Sequence, residues 1–135
     1  MDPDSTIEQL QARIRQLETE HRIFQELIDQ FPGLMLAMDS ECRYLVCNAA
    51  VEKVLRHSRS EILGRMNADF LTPDAAEAIS APERAILADG QVRQFEEDVV
   101  VPGGRRMITH THKFPIRDDN GDIFAVGGII TDVTE

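Results

Sequence analysis

The sequence changes character at Pro32-Gly33, a pair that ends helices and starts turns. Before this pair, apolar residues recur at alternating spacings of three and four, which is the heptad pattern of a coiled coil. After it, short apolar stretches alternate with turn residues. We therefore predict an amphipathic coiled-coil helix over residues 1–31 and a separate domain over residues 32–135. The heptad seam consists of Ile7, Leu10, Ile14, Leu17, His21, Phe24, Ile28 and Phe31.

The seam predicts a homodimer through the N-terminal helix. Isoleucine at the a positions and leucine at the d positions of the first two heptads favour two parallel strands. Arg13 and Glu18 fall at g and e, where they can pair across such a dimer. The alternative is a single amphipathic helix packed on its own domain. A capping box of Ser5 and Glu8 is predicted to start the helix.

The pattern of residues 32–135 predicts an α+β domain. Two short strands are followed by several short helices and then by three strands. Pro102-Gly103-Gly104 and Asp118-Asp119-Asn120-Gly121 supply the turns between the last three strands. Among the helices, Asn48 and Thr72 are expected to act as N-caps, Ser58 and Glu61 to form a capping box, and Ser80 to start another helix.

Charge and composition exclude several classes of partner. The formal net charge of −10 argues against nucleic acid and against direct contact with an anionic membrane surface. No run of about 18 apolar residues predicts a membrane span. The acidic start is unlike a signal peptide, and Cys42 and Cys47 lack the spacing of a disulfide or metal motif. These features predict a reduced, cytoplasmic domain.

Two blocks, "NAAVEKVLRHSRSEILGR" and "HKFPIRDDNGDIFAVGGIITDVTE", together with the order of elements, resemble a PAS domain of bacterial sensor kinases and cyclic-dinucleotide enzymes. The resemblance implies a five-stranded antiparallel sheet with short helices on one face, preceded by the long helix. It implies a regulatory sensor or dimerisation module that relays a signal to an effector domain of the same polypeptide, such as a histidine kinase of a two-component system. The family's closing Asp-x-Thr corresponds to Asp132 and Thr134, which mark the expected exit of the signal.

The resemblance also places a ligand pocket between the sheet and the helices. Strand alternation then assigns the inward side chains, and the other sheet face is expected to be covered by the N-terminal helix or by a partner chain. The candidate pocket residues are Leu36, Met38, Phe95, Glu97, Val99, Met107, Thr109, Thr111, Lys113, Val126 and Ile130.

The pocket's cofactor is unknown from sequence, and a small organic ligand or none is expected. Flavin photosensors of the family carry a cysteine where this chain has Ala68, and a glutamine where it has Ile130, so no flavin adduct is expected. The helix before the last three strands has no histidine, which argues against haem. His110 and His112 share one strand face but lack an evident third ligand, so no metal is expected.

Glu97 and Lys113 are predicted to approach each other on the inward face. They form either an internal ion pair or a lysine clamp for a carboxylate ligand. Enzyme motifs are absent, so the segment is not expected to be catalytic. The alternative function is a small α+β enzyme that uses a half-buried acid in the pocket.

Overall fold

A computed structural model of the protein describes residues 3–134. Residues 1, 2 and 135, which the domain assignment from sequence includes, lie outside the described range. The order of elements agrees with the sequence expectation of one long helix, two strands, several short helices and three strands. The elements are α1 (Pro3–Gln30), β1 (Leu34–Asp39), β2 (Tyr44–Cys47), α2 (Ala49–Leu55), α3 (Arg59–Ile62), a single 3-10 turn (Asn67–Asp69), α4 (Pro73–Asp89), β3 (Arg93–Val100), β4 (Arg106–Arg117) and β5 (Ile123–Asp132).

The five strands form one antiparallel sheet in the order β2-β1-β5-β4-β3. The two halves of the chain therefore meet in the middle of the sheet, where β1 pairs with β5. Across strands β3, β4 and β5, Phe95 pairs with Thr111, and Thr111 pairs with Ile130. The short helices cover the inward face, so the predicted α+β fold with a five-stranded antiparallel sheet is confirmed.

The core lies between this sheet and the short helices. A cluster of buried side chains from β1, β2, α2 and α3 fills it, and full burial of each large apolar side chain contributes about 1.5–3 kcal/mol to stability. The cluster consists of Met38, Tyr44, Cys47, Val51, Leu55 and Ile62.

Several helix ends follow the sequence signals. The side chain of Asn48 accepts a hydrogen bond from the amide of Val51, and Ser58 and Glu61 form the expected capping box. Thr72 caps α4, with Pro73 in the first turn. The expected capping box at Ser5 is wrong, because α1 already includes Pro3.

The predicted break at Ser80 is also wrong, because α4 runs without interruption from Pro73 to Asp89 and contains Pro82. Proline removes one backbone hydrogen bond inside a helix, which costs about 3 kcal/mol. Burial of Glu83 and Ile86 on the same helix holds it against the sheet. The Ser80 hydroxyl accepts a hydrogen bond from Asn67 (3.1 Å), so it does not cap a new helix.

The long helix α1 contacts the rest of the chain only through its C-terminal part. Within Pro3–Gln30 no residue is buried, and the seam residue Leu10 is 60% exposed. The helix ends at Gln30, so Phe31, assigned to the seam from sequence, lies one residue beyond it. No helix within residues 3–134 has the length and apolarity needed to cross a membrane.

The outer face of β4 and β5 is not covered by α1, whose residues His21, Phe24 and Ile28 lie beside the edge strand β2. One of the two covers expected from sequence is therefore not found on these strands. Instead, the ring of Phe114 occupies the space that a side chain at position 127 would take, which requires Gly127 there. Ile129 and His112 on the same face remain partly exposed.

Arg56, at the end of α2, has a backbone conformation that costs stability. Arg56 follows the helix in the left-handed region (φ +61°), which costs a side-chain-bearing residue roughly 1–2 kcal/mol and costs glycine nothing. We expect Arg56→Gly to raise the free energy of unfolding by about 0.5–1 kcal/mol. The gain is smaller than the relieved strain because glycine also increases the conformational entropy of the unfolded chain. Urea denaturation would measure it. The matched control Arg56→Ala keeps the strained conformation and should change stability by less than about 0.5 kcal/mol. Destabilisation by glycine would contradict the assignment.

Candidate functional site

The inward face of the sheet collects the candidate pocket residues. Along β4, buried residues alternate with more exposed ones, so that Thr109 and Thr111 point inward and His110 points out. The structure brings all eleven candidates to this face. Those that are buried are Met38, Met107, Thr109, Thr111, Lys113, Val126 and Ile130, and those that are partly buried are Leu36, Phe95, Glu97 and Val99.

At the centre of this face lies a buried ion cluster. The Lys113 ammonium donates hydrogen bonds to the Ile79 carbonyl (2.9 Å) and to Glu83 Oε1 (3.2 Å). Glu97 Oε1 is 3.9 Å from the same nitrogen. The side chains of Lys113 and Glu83 are 1% and 2% exposed. The ammonium therefore has two protein acceptors already, which favours the internal ion pair over a clamp for a ligand carboxylate.

The main partner, Glu83, was missed by the sequence analysis. It lies on the face of α4 that also buries Ala76 and Ile86, at helical spacings of seven and three residues. These spacings were the signal that could have placed it inward. The pattern around Pro82 instead predicts a separate helix that starts at Ser80, and this break interrupts the spacing between Ala76 and Glu83.

The cluster contains two carboxyl groups for one ammonium. Burial raises the pKa of Glu83, and the nearby Lys113 only partly opposes this rise. Burial likewise raises the pKa of Glu97. Raised acid pKa values mean that the folded state holds protons more tightly than the unfolded state. These groups therefore contribute less stability as the pH rises above the usual carboxyl pKa toward the raised ones.

Further polar side chains line the same interior. The Thr109 and Thr111 hydroxyls are 3.1 Å apart. The Tyr44 hydroxyl donates to Asn67 Oδ1 (2.6 Å), and burial raises the pKa of Tyr44 well above its usual value. The interior thus contains several hydrogen-bonded polar groups from the sheet, the 3-10 turn and α4, and is not a purely apolar core.

A second site joins α1 to the domain. The buried side chain of Asn48 donates to the carbonyls of Ile28 (2.7 Å) and Gly33 (2.9 Å) and accepts from the Met35 amide (3.1 Å). Beside it, Arg59 donates to Asp29 Oδ1 (2.6 Å). From sequence Asn48 was recognised only as a helix cap. In the structure it ties the last turn of α1 to the start of β1.

The predicted signal exit lies at the end of β5. Asp132 Oδ1 accepts a hydrogen bond from the Thr134 amide (2.9 Å). Interactions with the side chain and then the backbone of Thr134 lower the pKa of this carboxyl. Its Oδ2 lies 3.7 Å from Arg105. The Thr134 hydroxyl accepts a hydrogen bond from the Ile108 amide (2.8 Å), which ties the exit segment to β4.

The two strand histidines do not assemble a metal site. His110 is exposed, and the ring of His112 packs beside Phe114 with 5.6 Å between centroids. Among residues 3–134, no group of three or more histidine, cysteine, aspartate or glutamate residues is placed to hold a metal ion.

Comparison with known proteins identifies a family. The sequence model of a family described as PAS fold matches residues 28–135. The methanogenesis regulatory histidine kinase FilI of Methanothrix harundinacea is 24% identical over 129 residues, which are 96% of this chain and 14% of that protein. The aerobic respiration control sensor protein ArcB of Escherichia coli is 23% identical over 118 residues, 87% of this chain and 15% of that protein. The chain thus spans about one seventh of the length of these relatives.

Solved structures share the fold. The PAS domain of Bordetella pertussis BvgS superposes with a TM-score of 0.72 at 24% identity, covering 87% of this chain and 88% of that one. VqmA bound to DPO superposes with a TM-score of 0.73 at 21% identity, covering 82% of this chain and 56% of that one.

The ion cluster generates a test of which carboxylate neutralises Lys113. Lys113→Met strands buried carboxylates and should lower the free energy of unfolding by about 3 kcal/mol or more. Adding Glu83→Leu should recover more of this loss than adding Glu97→Leu, because Glu83 is the closer and more deeply buried partner. Urea denaturation of the three variants would measure the order.

The control for this experiment is Lys53→Met, a change at an exposed lysine, which should stay within about 0.5 kcal/mol of the unaltered protein. Better rescue by Glu97→Leu would make Glu97 the principal counter-ion. No loss of stability in Lys113→Met would show that the lysine is not buried.

Proposed function

Because the chain belongs to the PAS fold family, we propose that it is the regulatory sensor and dimerisation module of a bacterial signal-transduction protein. In this proposal it relays a signal to an effector domain of the same polypeptide, a histidine kinase or a cyclic-dinucleotide enzyme. Similarity to the histidine kinase FilI and to the sensor protein ArcB supports the kinase version. The proposed compartment is the cytoplasm, which the free thiols of Cys42 and Cys47 support.

One observation carries the proposal: the N-terminal helix and the signal exit are attached to the same end of the sheet. Leu34, which follows α1, pairs with Ile130, two residues before Asp132. The Ile130 carbonyl lies so close to Gly33 that a β-carbon there would approach it to 2.6 Å. A change in the shape of this end of the sheet would therefore shift both α1 and the segment around Asp132.

The proposed stimulus acts on the interior between the sheet and α4, either as a small organic molecule or without any bound ligand. The DPO complex of VqmA supports the ligand version. The Thr109 and Thr111 hydroxyls, which face this interior, offer hydrogen-bonding groups to such a molecule. An acid-dependent enzyme is less well supported, since both inward glutamates lie within 4.0 Å of the Lys113 ammonium.

The proposed homodimer uses the exposed seam of α1. Its 28 residues extend about 42 Å, and its apolar side chains have no partner within the described part of the chain that buries them. A parallel pair of such helices would bury the seam and place the two exits side by side.

The assembly prediction tests the dimer. Replacing Leu10 and Leu17 by glutamate puts charges into the seam, so light scattering should report a monomer of 15.2 kDa and not twice that mass. The control pair Gln9→Glu and Gln16→Glu adds the same charge outside the seam and should leave the dimer intact. A monomeric unaltered protein at tens of micromolar, or a control that dissociates as fully, would refute the seam.

The coupling prediction tests the relay. Asp132→Ala should change the stability of the isolated domain by less than about 0.5 kcal/mol, because the side chain is 37% exposed and its pair with Arg105 is long. In the full-length parent it should uncouple effector activity from the stimulus while the dimer persists. Asp119→Ala, in an exposed turn, is the control and should leave coupling unchanged. Unfolding of the isolated Asp132→Ala domain would make Asp132 a structural residue.

A further inference from the structure

A cavity of about 320 Å³ lies between α2 and the exit end of the sheet, apart from the polar interior around Lys113. Its apolar wall includes Leu34, Val54 and Met107. This volume is at the lower end of the range for small-molecule pockets, roughly 300–1,000 Å³. It is half-open to solvent, so a ligand can reach it without unfolding the domain.

The lining of this cavity contains two cations, Lys53 and Arg105, and two carboxylates, Asp29 and Asp132. A neighbouring cavity of about 170 Å³ shares Lys53 and Arg105 and adds Arg56. Within residues 3–134, no carboxylate lies within ion-pair distance of Lys53 or Arg56, and Arg105 has only the 3.7 Å contact with Asp132. Among the described residues, the Lys53 ammonium therefore lines this cavity without a carboxylate partner, although the chain has a net charge of −10.

The acidic residues on the rim are engaged elsewhere. Asp29 accepts hydrogen bonds from Arg59 (2.6 Å) and from the Ala49 amide (2.9 Å). Asp132 Oδ1 accepts from the Thr134 amide. Their presence still disfavours a doubly charged anion, because a like charge close by is repelled. A single negative charge with a short apolar body fits the cations and the apolar wall together.

We propose that this cavity binds a small organic carboxylate. The carboxylate contacts Lys53 and Arg105, and the apolar body packs on Leu34, Val54 and Met107. Guanidinium and ammonium groups form charge-assisted hydrogen bonds to carboxylates, and guanidinium can form two in parallel. Such a ligand competes with Asp132 for Arg105, and this link to signalling rests on the proposed function.

The test uses matched probes on the isotopically labelled chain. Phenylacetate should give saturable shifts of the backbone amide resonances of Leu34, Val54 and Met107 in two-dimensional NMR. Phenethylamine has nearly the same body with the opposite charge and should not bind. Inorganic phosphate supplies the anion without the apolar body, and its affinity should be at least about tenfold weaker.

Variants assign the contacts. Lys53→Gln combined with Arg105→Gln should weaken phenylacetate binding by about tenfold or more. Ala50→Leu, which adds volume to the cavity wall, should weaken it similarly. Arg65→Gln removes an exposed cation away from the cavity and should leave affinity within about twofold.

Failure of phenylacetate to saturate below about 10 mM would overturn the site. Equal binding of phenethylamine or phosphate, or unchanged affinity in the double variant, would overturn it too. Each of these results leaves the dimer and coupling experiments unaffected, so failure of this site is distinguishable from failure of the proposed function.

Discussion

Burial of the Lys113 ammonium is the constraint on which the placement of α4 depends. An ammonium inside a fold costs several kcal/mol unless acceptors surround it. Both acceptors within hydrogen-bond distance, the Ile79 carbonyl and the Glu83 carboxylate, come from α4. The helix can therefore take only one rotation about its axis against β4. Glu97 on β3 adds a second carboxylate, which brings the edge strand into the same cluster.

The opposite end of the domain depends on Asn48 in a comparable way. One buried amide satisfies carbonyls of α1 and of the following turn while it caps α2. Hydrogen bonds from the Asn48 side chain and the Arg59–Asp29 ion pair thus fix the direction in which α1 leaves the domain, while no residue of α1 is fully buried. The exit segment is attached to β4 through Thr134. These two attachments give a relay between sheet and helix a defined physical route.

Local sequence patterns determined the architecture. Period-two alternation put Thr109 and Thr111 on one face, and the resemblance to PAS domains identified that face as the inward one. The heptad spacing marked an exposed apolar face on α1. Asn48, Ser58 and Thr72 marked helix starts that the structure contains. Each of these signals acts within a few residues, because hydrogen-bond caps and strand alternation involve near neighbours only.

The tertiary structure alone decided which distant side chains contact one another. Glu83 is 30 residues from Lys113, and only packing of α4 on the sheet brings them to 3.2 Å. The same packing holds α4 continuous across Pro82, against the local expectation of a break. Arg105 and Lys53 gather around one cavity although 52 positions separate them. The sequence by itself determined the order of the strands and helices and the alternation of the strand faces, whereas the continuity of α4, the counter-ions and the cavities depend on contacts between distant segments, which no local pattern encodes.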